Sequence, residues 1–223
     1  MMDTAPAPKL APRLALVTGA SRGLGFAMAE RLGASGWHVL AVARTTGALE
    51  ELDDAIQAKG GACTIAPLDI TDEGAMGHLA QQILARWGKL DLWVHAAVQA
   101  APLAPAAHTD PKELDRSTAC NIRATAQLIP LLTPLLLAAK GSAMFFDDPR
   151  AGAKFFGVYG ATKSAQIALA RSWQAESATT GPRVLIETPA PMPTATRARF
   201  FPGEDRAALT PPGQEADRLL ALI

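Results

Sequence analysis

A doubly wound parallel α/β sheet is the fold class that this sequence predicts, on three observations. Short apolar runs rich in Leu, Val and Ala, the composition of strands buried on both faces, alternate with longer amphipathic stretches along most of the chain. The first apolar run passes directly into a glycine-bearing turn and the start of a helix. At 223 residues, 49% apolar and 19% charged, the chain suits one domain around a single core, assigned to residues 13–223. Strand and helix at regular intervals make right-handed βαβ units, and such units build a parallel sheet.

The first strand is expected at residues 14–18, and the turn after it carries Gly19, Ser21, Arg22, Gly23, Leu24 and Gly25. Without Cβ atoms at its glycines a backbone can approach a dinucleotide's phosphates closely, and the amides and dipole of a helix N-terminus favour the anion. Glycine alone marks many plain turns; the strand before and the amphipathic helix after are what point to a dinucleotide. That helix stops at Gly36, and residues 37–43 read as a second strand ending at Arg44. At this strand end a carboxylate would hold the free ribose hydroxyls of NAD, and an arginine would accept the 2′-phosphate of NADP. Arg44 stands there, no acid occurs before Glu50, and Arg22 offers a second guanidinium, so NADP(H) is expected over NAD(H).

A helix at 46–59 ends at Gly60 and Gly61, and a third strand at 63–68 closes on Asp69. Asp69, or the backbone of Ile70 beside it, could bond an adenine amino group; a turn or N-cap carboxylate is the equal alternative. A helix at 71–87 and a fourth strand at 90–97 follow, then a loop rich in Ala and Pro. Pro111 opens a long helix bearing Asn121, which Pro130 and Pro134 are expected to kink or break. A fifth strand at 142–146 runs into Asp147, Asp148, Pro149 and Arg150, and a helix at 158–179 bears Tyr159 and Lys163 on one face. A sixth strand at 182–187 leads to a proline-rich loop, after which one short apolar helix at most is expected.

Composition excludes several classes of function. Twenty-one basic and 21 acidic side chains give zero formal charge, so there is no electrostatic case for nucleic acid or an anionic membrane. Cys63 and Cys120 lack metal-type spacing and are too few for a disulfide scaffold; buried free thiols in a reducing cytoplasm are expected, and no metal. Residues 1–12 read as a disordered leader without the apolar segment of a secretory signal. The apolar run at 128–139, interrupted by prolines, is too short to span a bilayer.

Taken in order, the motifs resemble the short-chain dehydrogenase/reductase family over about residues 13–205. The glycine turn matches that family's TGxxxGxG pattern in full, and Tyr159, the only tyrosine, matches its YxxxK motif together with Lys163. The loop at 189–194 resembles the family's PGxxxT loop, and His95 with the segment 197–205 resembles a bacterial branch of it. The resemblance implies a Rossmann-type sheet and NADP(H)-dependent hydride transfer with a small carbonyl or alcohol. It implies that Tyr159 is the acid/base and that Lys163 lowers the phenol's pKa and holds the nicotinamide ribose. Asn121 would fix a water beside the lysine, Thr194 would contact the nicotinamide carboxamide, and Ala96 and Ala97 would floor the cofactor site. A homo-dimer or homo-tetramer through the helices of Asn121 and Tyr159 is also implied.

Three departures from the pattern bear on the chemistry. Asp148 stands where the family has a serine that bonds the substrate oxygen, and an ionised carboxylate would repel a forming alkoxide and raise the pKa of Tyr159. The family's Asn-Asn-Ala-Gly appears as His95, Ala96, Ala97 and Val98, so the cofactor floor and its link to Asn121 should differ. The family's usual seventh strand has no convincing counterpart, so a six-stranded sheet is expected. Three functions remain open: a carbonyl or alcohol oxidoreductase, a nucleotide-binding homologue without efficient chemistry serving as sensor or partner subunit, and an enzyme for a cationic amine or imine. The pocket loops around residues 100–108 and 192–201 suggest an apolar pocket.

Overall fold

The strand β1 (Leu14–Thr18) is buried along its whole length, and its side chains alternate between two layers of core. The computed structural model describes residues 12–223, so the expected leader lies, apart from Pro12, outside the described residues. The remaining strands are β2 (His38–Ala43), β3 (Ala62–Pro67), β4 (Leu92–His95), β5 (Ser142–Phe146) and β6 (Arg183–Glu187). All six join one sheet in the order β3-β2-β1-β4-β5-β6, with every neighbouring pair parallel. This is the doubly wound arrangement expected, and among the described residues no seventh strand extends it.

The helices are α1 (Gly23–Ala34), α2 (Thr46–Gln57), α3 (Glu73–Trp87), α4 (Pro111–Ser117), α5 (Ala124–Ala139), α6 (Gly157–Glu176), α7 (Ala195–Phe200) and α8 (Pro212–Leu220). Leu14, Leu16, Trp93 and Phe145 face a core with α3, α5 and α6, whereas Ala15, Val17, Val94 and Met144 face one with α1, α2 and α8. Both faces of the central strands are thus covered, which is why they read as unbroken apolar runs. Because β1 is followed by β2 on one side and flanked by β4 on the other, the strand order reverses beside Thr18 and His95. A crevice at the carboxyl ends of the strands opens there, the place where such sheets bind ligands.

Three expectations need correction. The fourth strand spans 92–95 rather than 90–97: the Ala96 amide still donates to the Thr18 carbonyl at 2.9 Å, and beyond it the chain turns along the crevice. The prolines do not break α5: Ala126, Pro130, Pro134 and Leu137 form its exposed stripe, so the carbonyls deprived of a donor face solvent. The helical run Pro111–Ala139 is consequently long and apolar enough to cross a membrane, yet Leu128, Leu132, Leu135 and Leu136 are packed into the core. The C-terminal part holds not one apolar helix but α7 and an amphipathic α8, whose Ala216 and Leu219 are buried against the layer of α1.

Glu215 of α8 is almost wholly buried, accepts a hydrogen bond from the Ala190 amide at 3.1 Å, and receives the Arg218 guanidinium at 2.7 Å. It ties α8 to the loop after β6. The Arg218 bond, helped by the Ala190 amide, holds its carboxyl below the usual range. Glu215→Ala is expected to cost about 1–2 kcal/mol at neutral pH. A depressed folded-state pKa contributes stability above the ordinary glutamate value of about 4.3 and loses it as pH falls through the folded value. Urea midpoints of wild type and variant should therefore differ at neutral pH and converge in acid.

Candidate functional site

The turn between β1 and α1 is built for close approach. Gly19 has φ +84°, and a Cβ there would lie 2.5 Å from the Ala97 nitrogen. At Gly25 a Cβ would overlap the Gly19 carbonyl oxygen. The turn therefore folds on itself and on Ala96 and Ala97 with no room for side chains. No side chain caps the N-terminus of α1 and its first turn holds no acid, so its amides stand open to an anion. A dinucleotide's pyrophosphate fits this cradle.

One cavity of about 630 Å³ lies over the turn. It is lined by Gly19, Ser21, Arg22, Gly23, Leu24 and Gly25, by Arg44, Asp69 and Ile70, and by Ala96, Ala97, Asp148, Tyr159, Lys163 and Thr194. Of the candidate catalytic and cofactor-binding residues, Asn121 alone is not on its wall. Arg22 and Arg44 are exposed at the rim. The Asp69 carboxylate accepts from the Thr71 amide at 2.9 Å and hydroxyl at 2.8 Å, and lies 3.7 Å from the Arg44 guanidinium. Its Oδ1 thus closes a turn while Oδ2 meets only the Arg44 guanidinium, so the side chain and the backbone at Ile70 both stay candidates for adenine. Thr194 caps α7 by accepting from the Arg197 amide at 3.2 Å, and its methyl group faces Gly23.

At the other end of the cleft the Tyr159 hydroxyl donates to Asp148 Oδ2 at 3.0 Å, while Arg150 Nε donates to Asp148 Oδ1 at 3.1 Å. Lys163 Nζ donates to Gln166 Oε1 at 2.7 Å. Lysine was expected to lower the phenol's pKa. Here burial, and then the Asp148 carboxylate, push the phenol above its ordinary value. Burial also lowers Lys163 to about 8 against the opposing pull of Asp148 and Asp147, so it remains mostly cationic at neutral pH. The two thiols are pushed up by burial, Cys63 to about 12 and Cys120 to about 11, and stay protonated.

Beneath the cleft runs a buried polar network that the sequence did not announce. Thr125 Oγ1 donates to the Asn121 carbonyl at 2.9 Å and accepts from Gln166 Nε2 at 3.0 Å. His95 Nε2, also 3.0 Å away, must then donate to Thr125, which leaves Nδ1 to accept from the Thr18 hydroxyl at 2.8 Å. Burial, then the Lys163 charge, lower His95 to about 3, so it is neutral. Asn121 sits in a π-helical turn, Thr118–Arg123, between α4 and α5. Its amide is fully engaged: Oδ1 accepts from the Gln99 amide at 2.8 Å, and Nδ2 donates to the Gln99 carbonyl and the Thr162 hydroxyl, both at 3.0 Å. Val98 fits beside this clamp without a left-handed backbone, so the family's glycine is not needed there.

A family model described as short chain dehydrogenase matches residues 13–205. The chain belongs to the short-chain dehydrogenase family. Within it, the chain is 34% identical over 192 residues to the fatty acyl-CoA reductase of Acinetobacter baylyi, covering 82% of this chain and 65% of that protein. It is 33% identical over 174 residues to the sorbitol dehydrogenase of Cereibacter sphaeroides, covering 74% and 64% respectively. The match thus spans just under two thirds of either relative. A crystal structure of a short chain dehydrogenase from Salmonella enterica superposes with a TM-score of 0.85 at 28% identity, covering 92% of this chain and 88% of that one. A metagenomic short-chain oxidoreductase in complex with NADP superposes with a TM-score of 0.76 at 28% identity, covering 94% and 90%.

Gln99, Thr125, Arg150, Thr162 and Gln166 are site residues that sequence reasoning missed. Gln166 alone left a signal, a polar side chain one turn after Lys163 on the buried face of a family helix. Tyr159 is the only tyrosine, so ultraviolet phenolate absorbance titrates this one group. Folded wild type should show no phenolate at pH values near 10, where a free phenol is about half ionised. Asp148→Ser should bring the transition to lower pH; an unchanged titration would show that Asp148 does not govern the phenol.

Proposed function

We propose that the chain is an NADP(H)-dependent reductase passing hydride between the nicotinamide and a small substrate held against Tyr159 and Asp148. The observation that carries this reading is the single cleft lined at one end by the uncapped glycine turn with Arg22 and Arg44, and at the other by Tyr159 and Lys163. When bound, the dinucleotide supplies the hydride. In this reading the turn amides hold its pyrophosphate and the two rim arginines its 2′-phosphate. Lys163 serves the ribose hydroxyls, with Gln166 and Thr125 positioning it from below.

With a carbonyl or alcohol as substrate, Tyr159 handles the proton. For a carbonyl, the substrate class that the family likeness suggests, the phenol must turn its proton from Asp148 towards a forming alkoxide, and the carboxylate opposes that charge. The same hydrogen bond, with the Phe200 ring centred 4.9 Å from that of Tyr159, favours a second reading: a nucleotide-binding homologue acting as sensor or partner subunit. We also infer self-association as a homo-dimer or homo-tetramer through α5 and α6, in a cytoplasmic setting.

Calorimetric titration should give NADPH an affinity about tenfold or more above that of NADH, with most of the difference lost in Arg44→Ala. Equal affinities would remove the rim arginines from the reading. With NADPH bound, Asp148→Ser should raise turnover of small neutral ketones by about tenfold, because a donor replaces an opposing charge. Tight NADPH binding without turnover of any substrate class, in either protein, would favour the sensor reading.

A further inference from the structure

We propose that the substrate atom facing Asp148 is a protonated nitrogen, and that the cleft reduces an iminium, a protonated carbon–nitrogen double bond, to an amine. This rests on the NADP(H)-dependent reading above and narrows it. A carbonyl oxygen, and the alkoxide it becomes, offer lone pairs only, so the wall against them has to donate. Here the phenol gives its single proton to Asp148 Oδ2 at 3.0 Å, and Lys163 gives one of its protons to Gln166 at 2.7 Å, its others being those that serve the ribose in the reading above. Arg150 lies on the other carboxylate oxygen at 3.1 Å, its guanidinium carbon 5.6 Å from the Phe156 ring centre. What remains for a substrate between Tyr159 and Asp148 is the phenol oxygen and the carboxylate's free lone pairs. Both accept, and one is anionic. An N–H on a cationic nitrogen matches them, and the aromatic wall of Phe200 beside Tyr159 is a surface a cation tolerates.

The step balances without an acid from the protein. The iminium carbon gains a hydride from the reduced dinucleotide, forming a carbon–hydrogen bond. The carbon–nitrogen π pair moves onto nitrogen, and the nitrogen keeps the proton it brought. Iminium and reduced dinucleotide thus give amine and oxidised dinucleotide. Tyr159 keeps its proton on Asp148 throughout, which suits a phenol whose ionisation burial and the neighbouring aspartates oppose. Asp148 holds the imine in its protonated form, the form whose carbon is electrophilic.

The test compares two five-membered rings of matching size, 2-methyl-1-pyrroline and cyclopentanone, with NADPH and the full chain. Wild type should favour the pyrroline in kcat/KM by about tenfold or more, and Asp148→Asn, nearly isosteric but uncharged, should collapse that ratio by about tenfold. A second readout needs no turnover. Pyrrolidinium titrated calorimetrically into wild type with NADP+ should bind, cyclopentanol should not displace it, and Asp148→Asn should weaken it by about tenfold. A ketone preference in wild type, or a pyrrolidinium affinity untouched by Asp148→Asn, overturns the iminium assignment and leaves the NADPH reading standing. Failure of NADPH to bind overturns both.

Discussion

The hydroxyl of Thr125 is the point on which the site hangs. A hydroxyl has one proton and two acceptor positions, and all three are used here, by the Asn121 carbonyl, Gln166 and His95. Through these partners one buried oxygen joins α5, the π-helical turn, α6 and β4, and His95 extends the connection to Thr18 on β1. No solvent reaches this interior to replace a lost partner, so each member fixes the next. Lys163 takes its place because Gln166 is held, and Gln166 is held because Thr125 is. The reacting end of the cleft is therefore a surface feature mounted on a fully satisfied polar core.

That mounting explains how two unlike ends coexist. The glycine turn works by lacking side chains: its amides are left open and its neighbours press backbone against backbone. The Tyr159 end works by crowding, with a phenol, two aspartates, an ammonium and a guanidinium gathered beside buried aromatic rings. In such surroundings the ordinary affinities of these groups for protons do not carry over: burial moves them first, and Asp148 adds to the rise at Tyr159 while opposing the fall at Lys163.

The sheet was legible in the sequence because strands buried on both faces leave continuous apolar runs, and the glycine turn and the Tyr159–Lys163 pair were legible because their spacing is local. The errors came where a local rule lacks a global fact. Pro130 and Pro134 look like breaks until it is known which stripe of α5 is wet. Ala96 and Ala97 look like strand until the turn at Gly19 claims the space beside them. Asn121 and His95 drew notice singly, but their pairing in a network did not: His95 and Thr125 are 30 residues apart, Asn121 and Thr162 are 41, and Thr18 and His95 are 77. Such partners share no spacing pattern, and Thr125 and Thr162 by themselves read as ordinary polar residues.

The seating of α8 on the layer of α1 brings together the two ends of the described chain. Contacts so distant in sequence require a large loop to close before they form, so they come late in folding. A chain emerging from the ribosome has β1, the glycine turn, α1, β2 and β3 complete while α8 is still unmade. The Glu215 anchor on the loop after β6 belongs to that same closure, and the loop it holds leads on to Thr194. The seating of α8 thus joins the loop that leads to Thr194 to the layer behind the glycine turn, and holds the two walls of the cleft in register.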